Sequence, residues 1–170
     1  MLGNGYEVVS DKYTTSVTGI PYGTVSLSGT SSISGWSASN TTTNEYLCMK
    51  EGKNAYIVSM KYGVPAACNV VVTIPMYAYG GSIYGSYKPT VYASATSSTS
   101  GSASGTSIQL KGSNYLPNSG ASYTNWTPTV ALSNSAPRVS IYSTGSGSSW
   151  SVGGGAMGVI MKSVTVQYQL

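Results

Sequence analysis

The sequence predicts an all-β protein, an antiparallel β-sandwich of the jelly-roll type with about nine short strands. Three observations predict it. Apolar residues recur with a period of two in most windows, which is the spacing of a strand with one buried side. Gly, Pro and Ser separate these windows at short intervals. No window shows a capped helix with apolar residues three and four apart. Chains of many short strands with such turns form sandwiches or barrels.

The C-terminal strand, predicted over 159–170, shows the clearest alternation, with Val164, Val166, Tyr168 and Leu170 on one side and polar residues on the other. A continuous β-branched run at 69–74 indicates that a second strand lies near the centre of a sheet. That run and the other predicted strands cover, in chain order, 6–10, 24–28, 46–50, 54–62, 69–74, 88–94, 106–111, 127–132 and 138–143.

Tyrosine is expected inside this fold, because the chain has 15 Tyr and no Phe. In strand 54–62 the predicted inward set is Tyr56, Val58, Met60 and Tyr62. We expect Tyr56 and Tyr168 to be substantially buried, with their hydroxyls at the core edge where each finds a hydrogen-bond partner.

A length of 170 residues fits a single domain, 1–170, with a sizeable core. Two segments of low complexity interrupt it. Residues 93–107 are nearly all Ser, Ala, Thr and Gly, which predicts a flexible loop or a plain edge hairpin. Residues 143–155 predict a flexible Gly/Ser-rich loop that holds Trp150 in its middle.

The composition argues against an enzyme. The chain has no His, which removes the usual base at neutral pH and the Ser/His/Asp and Cys/His sites. Glu45 and Glu51 are six residues apart, or ~20 Å if extended, too far for a glycosidase pair. We therefore predict no catalytic residue, no metal and no cofactor. The four acidic residues are Glu7, Asp11, Glu45 and Glu51.

Charge and hydropathy also limit the partners. Only 7% of residues are charged, and the net charge of +4 comes from eight scattered basic residues without a run, so we expect no nucleic-acid binding. No apolar stretch of 18 residues occurs, so we expect no membrane insertion. The start of the chain lacks the features of a secretory signal. We expect a virion or extracellular surface protein, and favour a virion protein assembled in the cytosol and released by lysis.

Strand parity predicts the side of its strand on which each cysteine lies. Cys68 shares parity with the apolar set of its strand, whereas Cys48 alternates with apolar neighbours, so we expect two free thiols on opposite sides. A disulfide between them is the alternative. Trp36 and Trp126 are predicted to be anchors of the core or its rim. Almost no side chain of this composition titrates between about pH 5.5 and 8. The free energy of unfolding should therefore be flat across this range.

The segment 77–87 is the strongest binding signal, because four tyrosines alternate there with Gly and Ser. Tyr77 and Tyr79 should point away from the core if Ile74 and Met76, which have the opposite parity, fill it. Tyrosine rings suit contact with a glycan or with a second subunit, and a plain tyrosine-covered surface is the remaining alternative. The candidate contact residues are Tyr77, Tyr79, Tyr84, Tyr87 and Trp150.

Several motifs resemble carbohydrate-binding modules of the galactose-binding-like jelly-roll type. They are Trp36 followed by the strand–turn–strand 46–60, then 123–132 with 138–142, and the closing segment 158–169. Such modules occur in polysaccharide-degrading enzymes and in phage tail fibres and other virion appendages. In that family the closing strand often carries an Asp that helps to hold calcium. The matching stretch 160–164 has no acid, so the resemblance does not imply a calcium site.

These observations predict a non-enzymatic structural or adhesive protein of the virion surface, such as a fibre, tail or capsid-surface component. Its expected partners are further copies of itself, in a homo-oligomer, other virion or surface proteins, and host glycans. The main alternative is an extracellular, pilin-like filament subunit that completes a neighbour's sheet with strand 6–10 or 164–170. A free-standing carbohydrate-binding module is the third possibility.

Overall fold

The computed structural model describes residues 15–17, 36–42, 47–50, 54–62, 67–79, 88–111, 124–144, 158–161 and 164–168. These residues form thirteen β-strands and no helix. The strands pair antiparallel in a sheet of eight and a sheet of five, and buried side chains of both sheets form one hydrophobic cluster between them. The predicted antiparallel β-sandwich is therefore confirmed. More strands occur than expected because several are only two to four residues long.

The strands follow one another as β1 Thr15–Val17, β2 Trp36–Ser39, β3 Thr41–Thr42, β4 Leu47–Lys50, β5 Ala55–Ser59, β6 Cys68–Tyr79, β7 Thr90–Thr96, β8 Thr106–Gln109, β9 Thr124–Trp126, β10 Thr129–Leu132, β11 Arg138–Ser143, β12 Gly158–Met161 and β13 Val164–Tyr168. The strands predicted at 6–10 and 24–28 lie outside the described residues, as does all but the start of the predicted loop 143–155. The described part of the chain contains no helix with the length and apolarity needed to span a membrane.

The eight-stranded sheet is organised around β6, its longest strand with 12 residues. Strands β9 and β10 pair with one edge of β6, and β12 and β13 pair with the other. The side of β6 that faces the second sheet carries Val72, Ile74 and Met76, all fully buried. The β-branched run 69–74 was expected near the centre of a sheet, and the structure confirms this and extends the strand to Tyr79.

The C-terminal segment forms two strands where one was predicted. Met161 pairs with Met76, and Thr165 pairs with Thr73. From the first pair to the second, the C-terminal segment advances by one residue more than β6 does. Pro75, which has no N–H for the ladder, lies in this interval. An additional residue is the mark of a β-bulge, and it changes which alternate residues face the core. In β12 the residues that face the core are odd-numbered, Val159 and Met161. In β13 they are even-numbered, Val164 and Val166.

The five-stranded sheet has the order β2-β5-β11-β7-β8. On its inward side Ile57, Ile141 and Ala93 pair directly across β5, β11 and β7, and all three are buried in the cluster between the sheets. We call the opposite side of this sheet, which faces away from the eight-stranded sheet, the outer side.

The side of β5 that was predicted to face the core is the wrong one, although Tyr62, the last member of that predicted set, does lie in the core. Ala55 and Ile57 belong to the buried cluster, whereas Tyr56 lies on the outer side, half-buried, and Met60 is 49% exposed. Both alternate sets of this strand are largely apolar, so a period of two does not identify the inward set. The side chain of Tyr168, the other tyrosine expected to be buried, lies outside the described residues.

The tryptophan prediction is confirmed, because Trp36 and Trp126 are buried in the core cluster with 7% and 8% exposure. Cys68 also has its predicted parity. It lies buried on the inward side of β6 and carries a free thiol, and burial raises the pKa of that thiol. The side chain of Cys48 is outside the described residues.

Tyr62 enters the core just after β5 and is only 3% exposed. Its N–H donates to the carbonyl of Pro137 at 3.0 Å. Nearby, the Ser59 hydroxyl accepts from the N–H of Val139 at 2.8 Å and donates to the carbonyl of Met60 at 2.9 Å. Burial raises the pKa of the Tyr62 hydroxyl to about 12, and a side-chain hydrogen bond with Ser59 acts in the opposite direction.

We expect the free energy of unfolding to be flat from about pH 5.5 to 8 and to fall between about pH 10 and 12. A tyrosine in the unfolded chain ionises near pH 10, whereas folded Tyr62 keeps its proton to about 12. The unfolded state therefore binds fewer protons in this window, and stability is lost as the pH rises. The loss from this group is about 3 kcal/mol at most. Urea unfolding across this range measures it, and an equal decline in Tyr62→Phe would contradict the assignment.

Candidate functional site

The predicted aromatic contact residues are described only in part. Tyr77 lies on β6 between two core residues, so its side chain points away from the core as predicted, and it is half-buried. Tyr79 ends the same strand, and its side chain lies outside the described residues. The other three members of the set also lie outside them: Tyr84, Tyr87 and Trp150. The structure thus locates one side chain of this predicted surface.

A different set of tyrosines forms a row on the outer side of the five-stranded sheet. Tyr142 of β11 pairs directly with Tyr56 of β5 on one side and with Tyr92 of β7 on the other. All three side chains are half-buried. Because neighbouring strands lie about 4.8 Å apart, the row spans roughly 10 Å across the sheet. We call these three residues the tyrosine row.

The core residues on the same strands hold the tyrosine row in line. Each tyrosine is one position from a member of the buried set Ile57, Ile141 and Ala93. A slip of one residue in any strand would move its apolar side chain out of the core and its tyrosine into it. The packing of the inward side therefore fixes the position of the aromatic side chains on the outer side.

Hydroxyl and amide groups border the tyrosine row. Ser39 of β2 and Ser107 of β8 lie opposite its two terminal tyrosines. Thr90, which precedes Tyr92 by two residues on β7, pairs with Gln109. The N–H of Thr144 donates to the carbonyl of Thr90 at 3.0 Å. The hydroxyl of Thr144 donates to the same carbonyl at 3.4 Å. Aromatic rings bordered in this way suit a ligand that is apolar on its faces and polar at its edges.

The β7–β8 loop, residues 97–105, is held by local hydrogen bonds. The N–H of Ser98 donates to the hydroxyl of Thr96, and the N–H of Ser100 to the hydroxyl of Ser98, both at 3.0 Å. Serine and threonine form such side chain–backbone bonds readily in turns. Of the two structures predicted for 93–107, a loop or an edge hairpin, the structure has the hairpin, with β8 as the edge strand.

This loop packs on the outer side next to the tyrosine row. The N–H of Ser102 donates to the hydroxyl of Ser140 at 3.2 Å. Gly101 lies so close to Tyr56 that a Cβ added to the glycine would stand 2.4 Å from the tyrosine Cβ. Val58, which neighbours both contacts on the outer side, is fully buried. The loop therefore borders the long side of the row next to Ser140. The opposite long side, next to Thr90, carries the polar groups and is not covered by this loop.

The described residues contain no acidic side chain near the row. All four acidic residues fall outside the described ranges, so every charged residue within those ranges is basic. Nor do those ranges contain a group of three or more His, Cys, Asp or Glu residues that would suit a metal ion. The chemistry that the described outer side offers is ring contact and hydrogen bonding.

One feature of the sequence indicates the outward orientation of the three tyrosines, and the sequence analysis did not use it. Each tyrosine stands between two buried residues, and in an alternating strand such a residue must lie on the outer side. Their alignment in one row depends on the strand register, which three separate strands do not reveal in sequence. The flanking pairs are Ala55 and Ile57, Val91 and Ala93, and Ile141 and Ser143.

Comparison with protein-family models and with curated proteins gives no match. Among solved structures, the chain is similar to the CBM35 carbohydrate-binding module from Paenibacillus barcinonensis, with 13% identity and a TM-score of 0.43. The similarity covers 80% of this chain and 94% of that one.

Proposed function

We propose that this protein is a non-catalytic β-sandwich that binds a glycan on its tyrosine row. The main support is the row itself, three half-buried tyrosines aligned across three neighbouring strands. A tyrosine ring offers an apolar face to the C–H groups of a sugar and a hydroxyl to its oxygens. It also loses little conformational entropy on binding, because it has only two rotatable side-chain bonds.

The polar border supports binding beyond the stabilisation that cross-strand aromatic pairs give to any sheet. On the same outer side Val58, which neighbours the contacts of the β7–β8 loop with Tyr56 and Ser140, is fully buried, whereas the tyrosines of the row are half-buried. Hydroxyl and amide groups then follow at Thr90 and Gln109 instead of further apolar side chains. A sugar chain uses both kinds of contact.

The dimensions of the row favour a short segment of a sugar chain over a single terminal sugar. Three rings spread over roughly 10 Å provide contacts for two or three sugar units laid across the strands. The β7–β8 loop borders one long side of that path, and Thr90, Thr144 and Gln109 border the other.

In its wider role we propose an adhesive component of a virion surface, such as a fibre, tail or capsid-surface protein that also contacts copies of itself. The low charged fraction of 7% and the many Ser, Thr and Gly residues support a surface role without turnover of the bound glycan. A pilin-like filament subunit and a free-standing monomeric module remain the alternatives. Negative-stain imaging distinguishes the three as closed oligomers, long filaments and small monomers.

Replacing Tyr142 by alanine is expected to weaken glycan binding about tenfold, because the change removes the centre of the tyrosine row. A glycan array with the unaltered protein first identifies a ligand, and titration calorimetry then compares dissociation constants. Tyr77→Ala is the matched control, since it removes a half-buried tyrosine from the other sheet. Thermal unfolding confirms that each variant is folded at the temperature of the measurement.

Two outcomes would contradict this proposal. In the first, the array shows no glycan ligand. In the second, Tyr77→Ala weakens binding as much as Tyr142→Ala or more, which would move the site to the surface first predicted around Tyr77 and Tyr79.

A further inference from the structure

A pair of serines lies beside the tyrosine row on the outer side of the five-stranded sheet. Ser94 of β7 pairs directly with Ser140 of β11, and each is two residues along its strand from a tyrosine of the row. Residues two apart in a strand share a side of the sheet, and their separation is about 7 Å at about 3.3 Å per residue. We call Ser94 and Ser140 the serine pair.

The β7–β8 loop lies over the serine pair. Ser102 donates its N–H to the hydroxyl of Ser140 at 3.2 Å. Gly105 approaches Ser94 so closely that an added Cβ would stand 2.9 Å from the serine Cβ. Ser140 is fully buried and Ser94 is 9% exposed, although both lie on the side of the sheet that faces away from the core. The two hydroxyls beside the tyrosine row are therefore shielded from solvent while the loop is closed.

The closed loop leaves one of these hydroxyls unsatisfied. The Oγ of Ser94 is buried and has no hydrogen-bond partner among the described residues. Burial without a partner opposes the closed arrangement, because the group loses the hydrogen bonds that it would make with water. If the loop lifted, water or a hydroxyl of a ligand would reach this atom.

Few contacts hold the loop against the sheet. All residues of the loop except Gly101 are exposed, so the loop itself buries little apolar surface. Within the described part of the chain, the bond from Ser102 to Ser140 is the one hydrogen bond from the loop to a strand other than the two that it connects. A segment with few buried contacts opens locally at a small cost in free energy, without unfolding of the domain.

We propose that the β7–β8 loop is a strap that opens over the serine pair and gives the glycan site a narrow form and a wide form. The inference rests on the proposed function and concerns the regulation of that site. In the narrow form the loop is closed, Gly101 packs against Tyr56, and an unbranched chain lies on the tyrosine row alone. In the wide form the hydroxyls of Ser94 and Ser140 bind a branch of the sugar chain.

Thiol labelling of Ser94→Cys with a maleimide measures the opening, because the reagent reaches position 94 only when the loop is lifted. Mass spectrometry of the labelled peptides distinguishes this position from Cys68, which is buried in the core and serves as the internal reference. We expect position 94 to be labelled at least about tenfold faster than Cys68, since the strap opens without unfolding of the sheet.

Amide exchange in the unaltered protein is a second measurement that needs no substitution. The N–H of Ser102 should exchange at a rate that low concentrations of urea do not change, as expected for local opening. The N–H of Val139, which donates to the Ser59 hydroxyl inside the core, should exchange faster as urea is added, because it requires unfolding.

Removing the hydroxyl that holds the loop should increase the labelling rate. Ser140→Ala, combined with Ser94→Cys, deletes the acceptor of the Ser102 N–H, and labelling of position 94 should become about fivefold faster. Ser143→Ala is the matched control, because it removes a buried serine hydroxyl from the inward side of the same strand. It should leave the labelling rate within about twofold.

Labelling of position 94 at the rate of Cys68, or an equal increase of the rate in Ser143→Ala, overturns the strap and leaves the tyrosine row standing. Glycans that bind on the array then test the two forms. Bound unbranched glycans should slow the labelling, and bound branched glycans should raise it about threefold by shifting the population to the open loop. A rate that no branched glycan raises rejects the wide form. An array without any ligand rejects the proposed function, whereas fast labelling of position 94 would still support the strap.

Discussion

Alanine in place of Gly105 is expected to lower the free energy of unfolding by about 3 kcal/mol. Gly105 ends the β7–β8 loop with φ at +87°, and a Cβ there would stand 2.2 Å from the carbonyl oxygen of Ala93 and 2.9 Å from the Cβ of Ser94. The positive φ costs an L-residue roughly 1 kcal/mol, and forced overlap costs roughly 2 kcal/mol more. Rotation of a side chain cannot relieve this overlap, because its nearest atom belongs to the backbone.

Ser102→Ala is the control within the same loop. Its hydroxyl bonds the exposed hydroxyl of Ser104 at 2.9 Å, while the N–H bond to Ser140 does not depend on the side chain. Its cost should stay within about 0.5 kcal/mol. Urea unfolding at neutral pH measures both variants. Wild-type stability in Gly105→Ala would mean that the loop does not pack on the sheet as described.

The same loop links stability to the proposed binding surface. Gly101 packs against the Cβ and Cγ of Tyr56, so a loop lifted by a change at Gly105 would also withdraw support from one end of the tyrosine row. A flat row with defined spacing needs its terminal ring held in place. We therefore regard the Ser- and Gly-rich loop as part of the site, where its glycines allow the backbone close to the ring.

The fold class was predictable because the alternation is strong where one side of a strand is apolar and the other is not. The inward set of β6, from Cys68 to Met76, was assigned correctly for this reason. The prediction failed for β5, where Tyr56 and Val58 are about as apolar as Ile57. At the C-terminus the predicted inward residues Val164 and Val166 are buried, but the single strand predicted there is two strands, because the ladder shifts by one residue opposite Pro75.

The candidate site was harder to predict because it arises from register. Tyr56, Tyr92 and Tyr142 are separated by 36 and 50 residues in the chain, and only the pairing of three strands brings them together. The sequence instead drew attention to 77–87, where tyrosines are close in the chain. Local density of a residue type is visible in a sequence, whereas density across strands appears only after the sheet has formed.

Ile141→Ala is expected to lower the free energy of unfolding by about 4 kcal/mol, because it opens a cavity in a fully buried row between Ile57 and Ala93. Ile108→Ala, the same change at a half-buried position on the edge strand β8, should cost about 1 kcal/mol. Urea unfolding compares the two variants. Similar losses would contradict the central position of β11 in this sheet.

Ile141 and Tyr142 are neighbours in β11, and their side chains lie on opposite sides of the sheet. Substitutions at these two positions therefore distinguish an effect on stability from an effect on binding. Folded Ile141→Ala should keep a glycan dissociation constant within about twofold of the wild type, whereas Tyr142→Ala should raise it about tenfold. Ile141→Val, which costs only about 1 kcal/mol, serves where the alanine variant is not fully folded. If a folded Ile141 variant loses as much affinity as Tyr142→Ala, the ligand is not held by the outer side of this sheet.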